Sequence, residues 1–266
     1  MYIDEKCLIT ENRFISGRTW LLKVKAPEIS KNVKPAQFVM VKGTFENQYD
    51  PMMRRAFAIA DVEGDELLIY YDVYGKGTEV LTKRKKGEEI NILGALGKNL
   101  FPENFDYYLL VGGGIGFAGL SLLMKDLRRK GIPFKALYGV RRREQLSMLQ
   151  WIKDNGFEDD VIVYTEDGSY GEKGLVTRDL EKLATENKNT VLAVCGPKGM
   201  MKAVAGEAKR IGVPAYLSLE SKMACGFGIC IGCVVKDKKE DTYKRVCYEG
   251  PVFNAEKIEL WGEKWK

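Results

Sequence analysis

Histidine is absent from all 266 residues. That absence excludes Ser-His-Asp triads, Cys-His pairs, HExxH metal sites and every imidazole proton shuttle. Chemistry must therefore run on cysteines, bound cofactors or other side chains. A large charge imbalance is missing too: net charge is only +5, with both signs spread along the chain. Nucleic-acid binders usually concentrate their basic residues, so no nucleic-acid partner is expected. The one long stretch without a charge, Tyr107 to Met124, contains five glycines. A strand, a glycine turn and a buried helix explain it better than a membrane span. No basic segment followed by an apolar run opens the chain, and the reading is a cytoplasmic protein with no membrane partner. Six cysteines in a reducing compartment point to ligands or buried thiols rather than disulfides.

What is present divides into three parts. Strand-like runs such as TWLLKVKA, QFVMVKGT and ELLIYYDVY fill residues 1–102, broken by Gly, Pro, Asn and Asp, which predicts a small antiparallel β-barrel. From residue 103 to 217 strands alternate with amphipathic helices, which predicts a mostly parallel α/β sheet with its ligand site at the carboxyl ends of the strands. The third part, 218–266, holds four of the six cysteines and a Trp-containing tail. The expected fold class is thus a β-barrel plus α/β, followed by a cluster-binding segment.

Cys225, Cys230, Cys233 and Cys247 are spaced C-x4-C-x2-C-x13-C. The first three match the plant-type two-iron, two-sulfur pattern with a fourth thiolate downstream. Gly226, Gly228 and Gly232 would let the loop adopt positive φ and aim backbone N–H groups at sulfur, while Phe227 and Ile229 would exclude water. The rival is a structural zinc site, which usually pairs two short knuckles instead of one knuckle and an isolated cysteine. A zinc-stapled interaction or nucleic-acid module is the corresponding alternative function.

Gly114 to Gly119 satisfies G-x-G-x-x-G between a strand and a helix, a place for phosphate or for close helix packing. The supporting acid about 20 residues on is missing, and Arg141 to Arg143 stand there instead. Tyr74 to Thr78 could hold a pyrophosphate or be a turn with an N-cap. Arg54 and Arg55, entering a strand, read equally as a phosphate partner or as solvated edge charge. Cys195 ends a strand, where it would face a nicotinamide or lie buried as a structural thiol.

Taken in order, RRAFAI, YGKGT, ILGALG, VGGGIG, EDGSYGEKGLVT, CGPKGM and LESKMACGFGICIGC resemble the ferredoxin-reductase-like superfamily. More narrowly they resemble the electron-transfer subunits of dihydroorotate dehydrogenase B. The resemblance implies FAD in the barrel domain, on Arg55, Ala56, Phe57 and Ala58, on Tyr70, Tyr71 and Asp72, and on the pyrophosphate loop at Gly77 and Thr78. It implies NAD on Gly112, Gly113, Gly114 and Gly116 and on the Cys195-Gly196-Pro197 corner. It also implies a [2Fe-2S] cluster on the four C-terminal cysteines. Ala56 and Ala58 depart from the family's proline and serine, Asp72 from a common basic residue, and Gly119 from a proline. The implied partner is an FMN-containing catalytic subunit, two copies of each chain forming a heterotetramer. The implied activity is oxidoreductase electron transfer from dihydroorotate to NAD in pyrimidine biosynthesis, with no catalytic side chain on this subunit. The alternative is a related NAD(P)H-dependent flavin and iron–sulfur reductase serving ferredoxin, sulfur or another partner.

Overall fold

The computed structural model describes residues 2–260. The Trp-containing end of the tail lies outside the described residues.

Alternation of apolar and polar side chains over the first hundred residues builds one antiparallel sheet. Its strands are β1 (Ile3–Ser16), β2 (Thr19–Lys25), β3 (Phe38–Lys42), β4 (Arg55–Ala58), β5 (Asp61–Glu63), β6 (Glu66–Asp72) and β7 (Glu89–Leu96), in spatial order β4-β3-β7-β1-β2-β6-β5. The curved ladder is an open half-barrel, with β4 and β5 as edges. Period-two burial is clearest in β7, where Ile90, Ile92 and Leu96 turn inward. Two short helices close the ends, α1 (Pro27–Ser30) and α2 (Lys76–Thr82). The inner face packs Cys7, Ile9, Leu22, Val24, Val39, Val41, Ile69 and Tyr71 into one apolar core.

The second sheet is built from runs that are buried on both faces, as in VLAVC. Its strands are β8 (Tyr107–Gly113), β9 (Phe134–Val140), β10 (Val161–Thr165), β11 (Glu172–Lys173), β12 (Thr190–Cys195) and β13 (Ala215–Ser218), all parallel. Helices α3 (Ser121–Lys130), α4 (Leu149–Asp154), α5 (Leu180–Thr185) and α6 (Lys198–Ile211) form the crossovers. Both α3 and α6 end on a left-handed glycine, Gly131 and Gly212. The order β11-β10-β9-β8-β12-β13 reverses between β8 and β12, the place where open α/β sheets bind ligands.

The G-x-G-x-x-G stretch lies between strand and helix as expected: Gly114–Gly119 form a 3-10 turn after β8, and α3 begins after it. One expectation needs correction. Among the amphipathic helices expected between the strands, the run RREQLSMLQWIKDNG reads as one helix, but it is a 3-10 turn at Arg143–Gln145 followed by the short α4.

The cysteine-rich segment carries the hairpin β14 (Val234–Lys236) and β15 (Tyr243–Arg245). It then returns as β16 (Val252–Asn254), an antiparallel edge strand on β13. The segment is therefore stitched into the α/β sheet, and Gly250 accepts backbone hydrogen bonds from Lys98 and Asn99 at the end of the half-barrel.

Candidate functional site

At the switch point of the α/β sheet, Gly112 of β8 lies in register with Cys195 of β12. The glycines expected to bind NAD divide into two kinds. A Cβ on Gly112 would strike Phe117, one on Gly113 would strike Met200 and Pro197, and one on Gly116 would lie 2.6 Å from Gly196 Cα. These three let the turn pack tightly on itself and on the Cys195-Gly196-Pro197 corner. Gly114 differs, having φ +54° and open space where its side chain would be. Both readings of the motif, close packing and phosphate approach, thus have residues to carry them.

On the half-barrel side, Arg54 makes a bidentate pair with Asp4, at 3.0 and 2.7 Å. Arg55 instead lays its guanidinium over Gly77, where a Cβ would lie within 2.4 Å of Arg55 Nε. The pair is therefore split, and Arg55 is the one directed to the Gly75–Thr78 turn. The Thr78 hydroxyl is used inside that turn, accepting from Tyr74 and Gly75 N–H and donating to Gly75 O. Tyr71 is buried with its hydroxyl on Asn12, against Phe57, while Tyr70 is buried in the core on the other face. Asp72 pairs with Arg18 and accepts from Thr19. Ala56 and Ala58 lie on β4, the edge strand.

The two domains meet at Ala58. A Cβ on Gly119 would lie 3.8 Å from Ala58 Cβ and 3.1 Å from Cys195 Sγ. A side chain at that position would meet Ala58 at ordinary contact distance but press on the Cys195 sulfur, so glycine leaves room for the thiol at the end of β12. Burial, and after it the Glu220 carboxylate, pushes the Cys195 thiol up, keeping it neutral. Glu220 itself escaped the sequence reading. It lies two residues past β13 with an exposed side chain, and desolvation by the protein around it, followed by the Asp72 carboxylate, raises its pKa. Only its place at the start of LESKMACG could have drawn attention to it.

In the third part, Cys233 and Cys247 are buried with their sulfurs 3.2 Å apart, and Cys225 shares a hydrogen bond with Cys230. Burial opposes ionisation of Cys225, but N–H groups of Cys230, Phe227 and Ile229 outweigh it and bring the thiol down to about 6. Burial and the Cys233 sulfur push Cys247 up to about 12. Among the described residues no three metal-ligating side chains converge on one point. Two thiol pairs are what a binuclear centre takes, two sulfurs to each iron, whereas a zinc ion needs four on one centre. The donor set and its N–H groups fit [2Fe-2S].

Backbone freedom in this loop falls partly where expected. Gly226 and Gly228 have positive φ, 83° and 95°, and their missing side chains admit Met40 and the Tyr248 ring. The third such residue is Ile231, φ 56°, and not Gly232. Phe227 tucks against Tyr2, but Ile229 does not cover the thiols: it is 75% exposed, and Ile231 64%.

Comparison with known proteins agrees with these parts. Residues 220–259 match the iron–sulfur cluster binding domain of dihydroorotate dehydrogenase B, and residues 110–206 match the oxidoreductase NAD-binding domain. The NADH-dependent reduced ferredoxin-NADP oxidoreductase, solved in a study of flavin-based electron bifurcation, superposes with TM-score 0.84. It is 31% identical, over 96% of this chain and 90% of that one. Phthalate dioxygenase reductase shares the fold at TM-score 0.65 and 13% identity. Fold and site together define an NAD-binding flavin and iron–sulfur reductase of the ferredoxin-reductase type.

A protein of Aquifex aeolicus described as a dihydroorotate dehydrogenase B (NAD(+)) electron transfer subunit homolog is 46% identical over 253 residues, 95% of this chain and 97% of its own length. The dihydroorotate dehydrogenase B (NAD(+)) electron transfer subunit of Fusobacterium nucleatum is 36% identical over 264 residues, 96% of this chain and 98% of its own. The chain belongs to the family of dihydroorotate dehydrogenase B electron transfer subunits. No helix among the described residues is long and apolar enough to cross a membrane.

Proposed function

We propose that this chain carries electrons in an NAD-dependent dihydroorotate dehydrogenase, beside a partner subunit that holds FMN and oxidises dihydroorotate to orotate. Two copies of each would form the working heterotetramer. The observation that carries the reading is the meeting of three parts at one junction. Gly119 of the α/β part lies between Ala58 of β4 and the Cys195 sulfur, and the Cys225–Cys230 loop rests on β3, the neighbour of β4.

FAD and [2Fe-2S] supply the exchange between single electrons and hydride, and the protein's task is to place them. Arg55, beside Gly77 and Thr78, would hold the flavin pyrophosphate through a charge-assisted contact. Ala56, Phe57 and Ala58 would form the wall beside the flavin ring, with Tyr70, Tyr71 and Asp72 contributing their strand. Gly114, with Gly112, Gly113 and Gly116 packing the turn behind it, would admit the NAD phosphates. Cys195, Gly196 and Pro197 would border the nicotinamide, the neutral Cys195 thiol helping to exclude water. Cys225, Cys230, Cys233 and Cys247 would ligate the cluster. Exposed Ile229 and Ile231 beside them give that face an apolar tip suited to the partner.

The test is reconstitution. Dihydroorotate-dependent NADH formation should require this chain and the FMN subunit together, and an Ile229→Asp chain should keep its iron but bind the partner less tightly. Dihydroorotate oxidation by this chain alone would overturn the division of labour. The reductase alternative predicts ferredoxin or sulfur turnover with NAD(P)H and no gain on adding the FMN subunit.

A further inference from the structure

Met40 sits in the middle of β3, fully buried. On one side it faces Ala56 of β4 in register, and on the other Leu93 of β7. Directly opposed residues of neighbouring strands share a face, so Met40 and Ala56 lie side by side. Over them lies the cysteine loop: a Cβ on Gly226 would be 2.5 Å from Met40 Cγ, 3.0 Å from its Sδ and 3.3 Å from Leu96 Cδ1. Gly226 is thus bare because the loop backbone rests on the methionine. Met40 also belongs to the same apolar core as Cys233 and Cys247, with Ala56 packed against it. A single side chain therefore touches the loop between two cluster cysteines and adjoins the strand assigned to the flavin.

We propose that Met40 is a positioning residue for electron transfer, filling the gap between the [2Fe-2S] loop and the flavin strand and setting how fast single electrons cross it. The proposal rests on the cofactor assignment given above. Electron transfer depends steeply on separation and on how completely atoms fill the space between centres. Methionine suits that task, being flexible, polarizable and able to fill an irregular gap. Removing it leaves a void whose lining loses contacts and lets the loop shift.

The experiment uses the full chain with its cofactors, as wild type, Met40→Ala, Met40→Leu and Met40→Val. Flavin and iron contents and the cluster potential are measured first. Each protein is then mixed with NADH, which passes a hydride, two electrons, to the flavin; one electron moves on to the cluster and the other stays. Flavin bleaching and the electron paramagnetic resonance of the reduced cluster are followed separately. In Met40→Ala, flavin bleaching and cluster potential should stay as in wild type while cluster reduction slows about tenfold or more, within the range small misplacements cost. Met40→Leu conserves volume and should stay near wild type. Should the alanine variant lose iron, Met40→Val decides by the same criterion. Wild-type cluster reduction in a fully loaded alanine or valine variant overturns the proposal. Wild-type protein without flavin or iron would instead refute the cofactor assignment.

Discussion

Asp61 is the hinge pin between the two domains, and its replacement should loosen them measurably. It opens β5, is 0% exposed, and accepts from three directions. Val62 N–H donates to Oδ1 at 2.8 Å, while Trp151 Nε1 at 2.8 Å and Lys125 Nζ meet Oδ2. Next to it, Ala60 O accepts from the Ser121 hydroxyl. Lys125, Ser121 and Trp151 all belong to the α/β domain, so this short stretch of the half-barrel fixes how the domains meet. Asn at position 61 cannot replace the carboxylate. With its oxygen toward Val62 its amide faces two donors, and with the amide toward Val62 two N–H groups oppose each other. The Trp151 N–H or the Val62 N–H is then orphaned, at about 1–3 kcal/mol. Losing the Lys125 pair brings the total toward about 3–5 kcal/mol, the range for breaking a buried pair. Lys125 is one-third exposed and can turn to water, which favours the lower end. Urea unfolding followed by tryptophan fluorescence measures the loss, and a double-mutant cycle with Trp151→Phe should show a coupling of about 1–3 kcal/mol. An Asp61→Asn cost below about 1 kcal/mol would refute the reasoning.

Gly116→Ala should weaken NADH binding and lower stability by about 1–3 kcal/mol, since its Cβ meets the Gly196 backbone and cannot be relieved by a rotamer change. Gly114→Ala meets no protein atom and should cost stability only the positive-φ penalty of about 1–2 kcal/mol, while its Cβ would stand where the NAD phosphates approach, so NADH titrations should weaken in both variants and thermal melts that show Gly114→Ala as the more destabilised would contradict the packing argument. Cys7 is held protonated, its pKa raised from 9.0 to about 12 by burial and then by Glu5 and Asp4. Its contribution to stability is therefore complete below about pH 9 and is lost as pH rises toward about 12, and Cys7→Ala should flatten that alkaline decline in urea midpoints.

Much of this was legible in the residues. Strand-like runs broken by Gly, Pro, Asn and Asp marked the first sheet, strand–helix alternation marked the parallel one, and the cysteine spacing marked the cluster loop. What escaped was non-local. Trp151 meets Asp61 ninety residues away in sequence, and the loop carrying Gly226 rests on Met40. No local pattern encodes such pairings. Glycines misled in a different way: positive φ was expected at Gly232 and falls on Ile231, because the choice depends on how the loop closes. In the turn after β8, three of four glycines answer to neighbouring atoms, a distinction the motif alone does not carry. The helix expected across residues 142–156 is interrupted at Leu146, whose ψ of 68° leaves the helical range.

The central claim is that this chain joins a flavin and a [2Fe-2S] cluster to NAD through one junction. Its most direct test is an anaerobic NADH titration of the purified protein, with flavin, iron and acid-labile sulfide counted on the same sample. The account predicts one flavin, with two irons and two sulfides, per chain. It predicts that NADH bleaches both the flavin bands and the broad iron–sulfur absorbance. A colourless protein holding zinc, or a flavin that bleaches while an intact cluster stays oxidised, would contradict it.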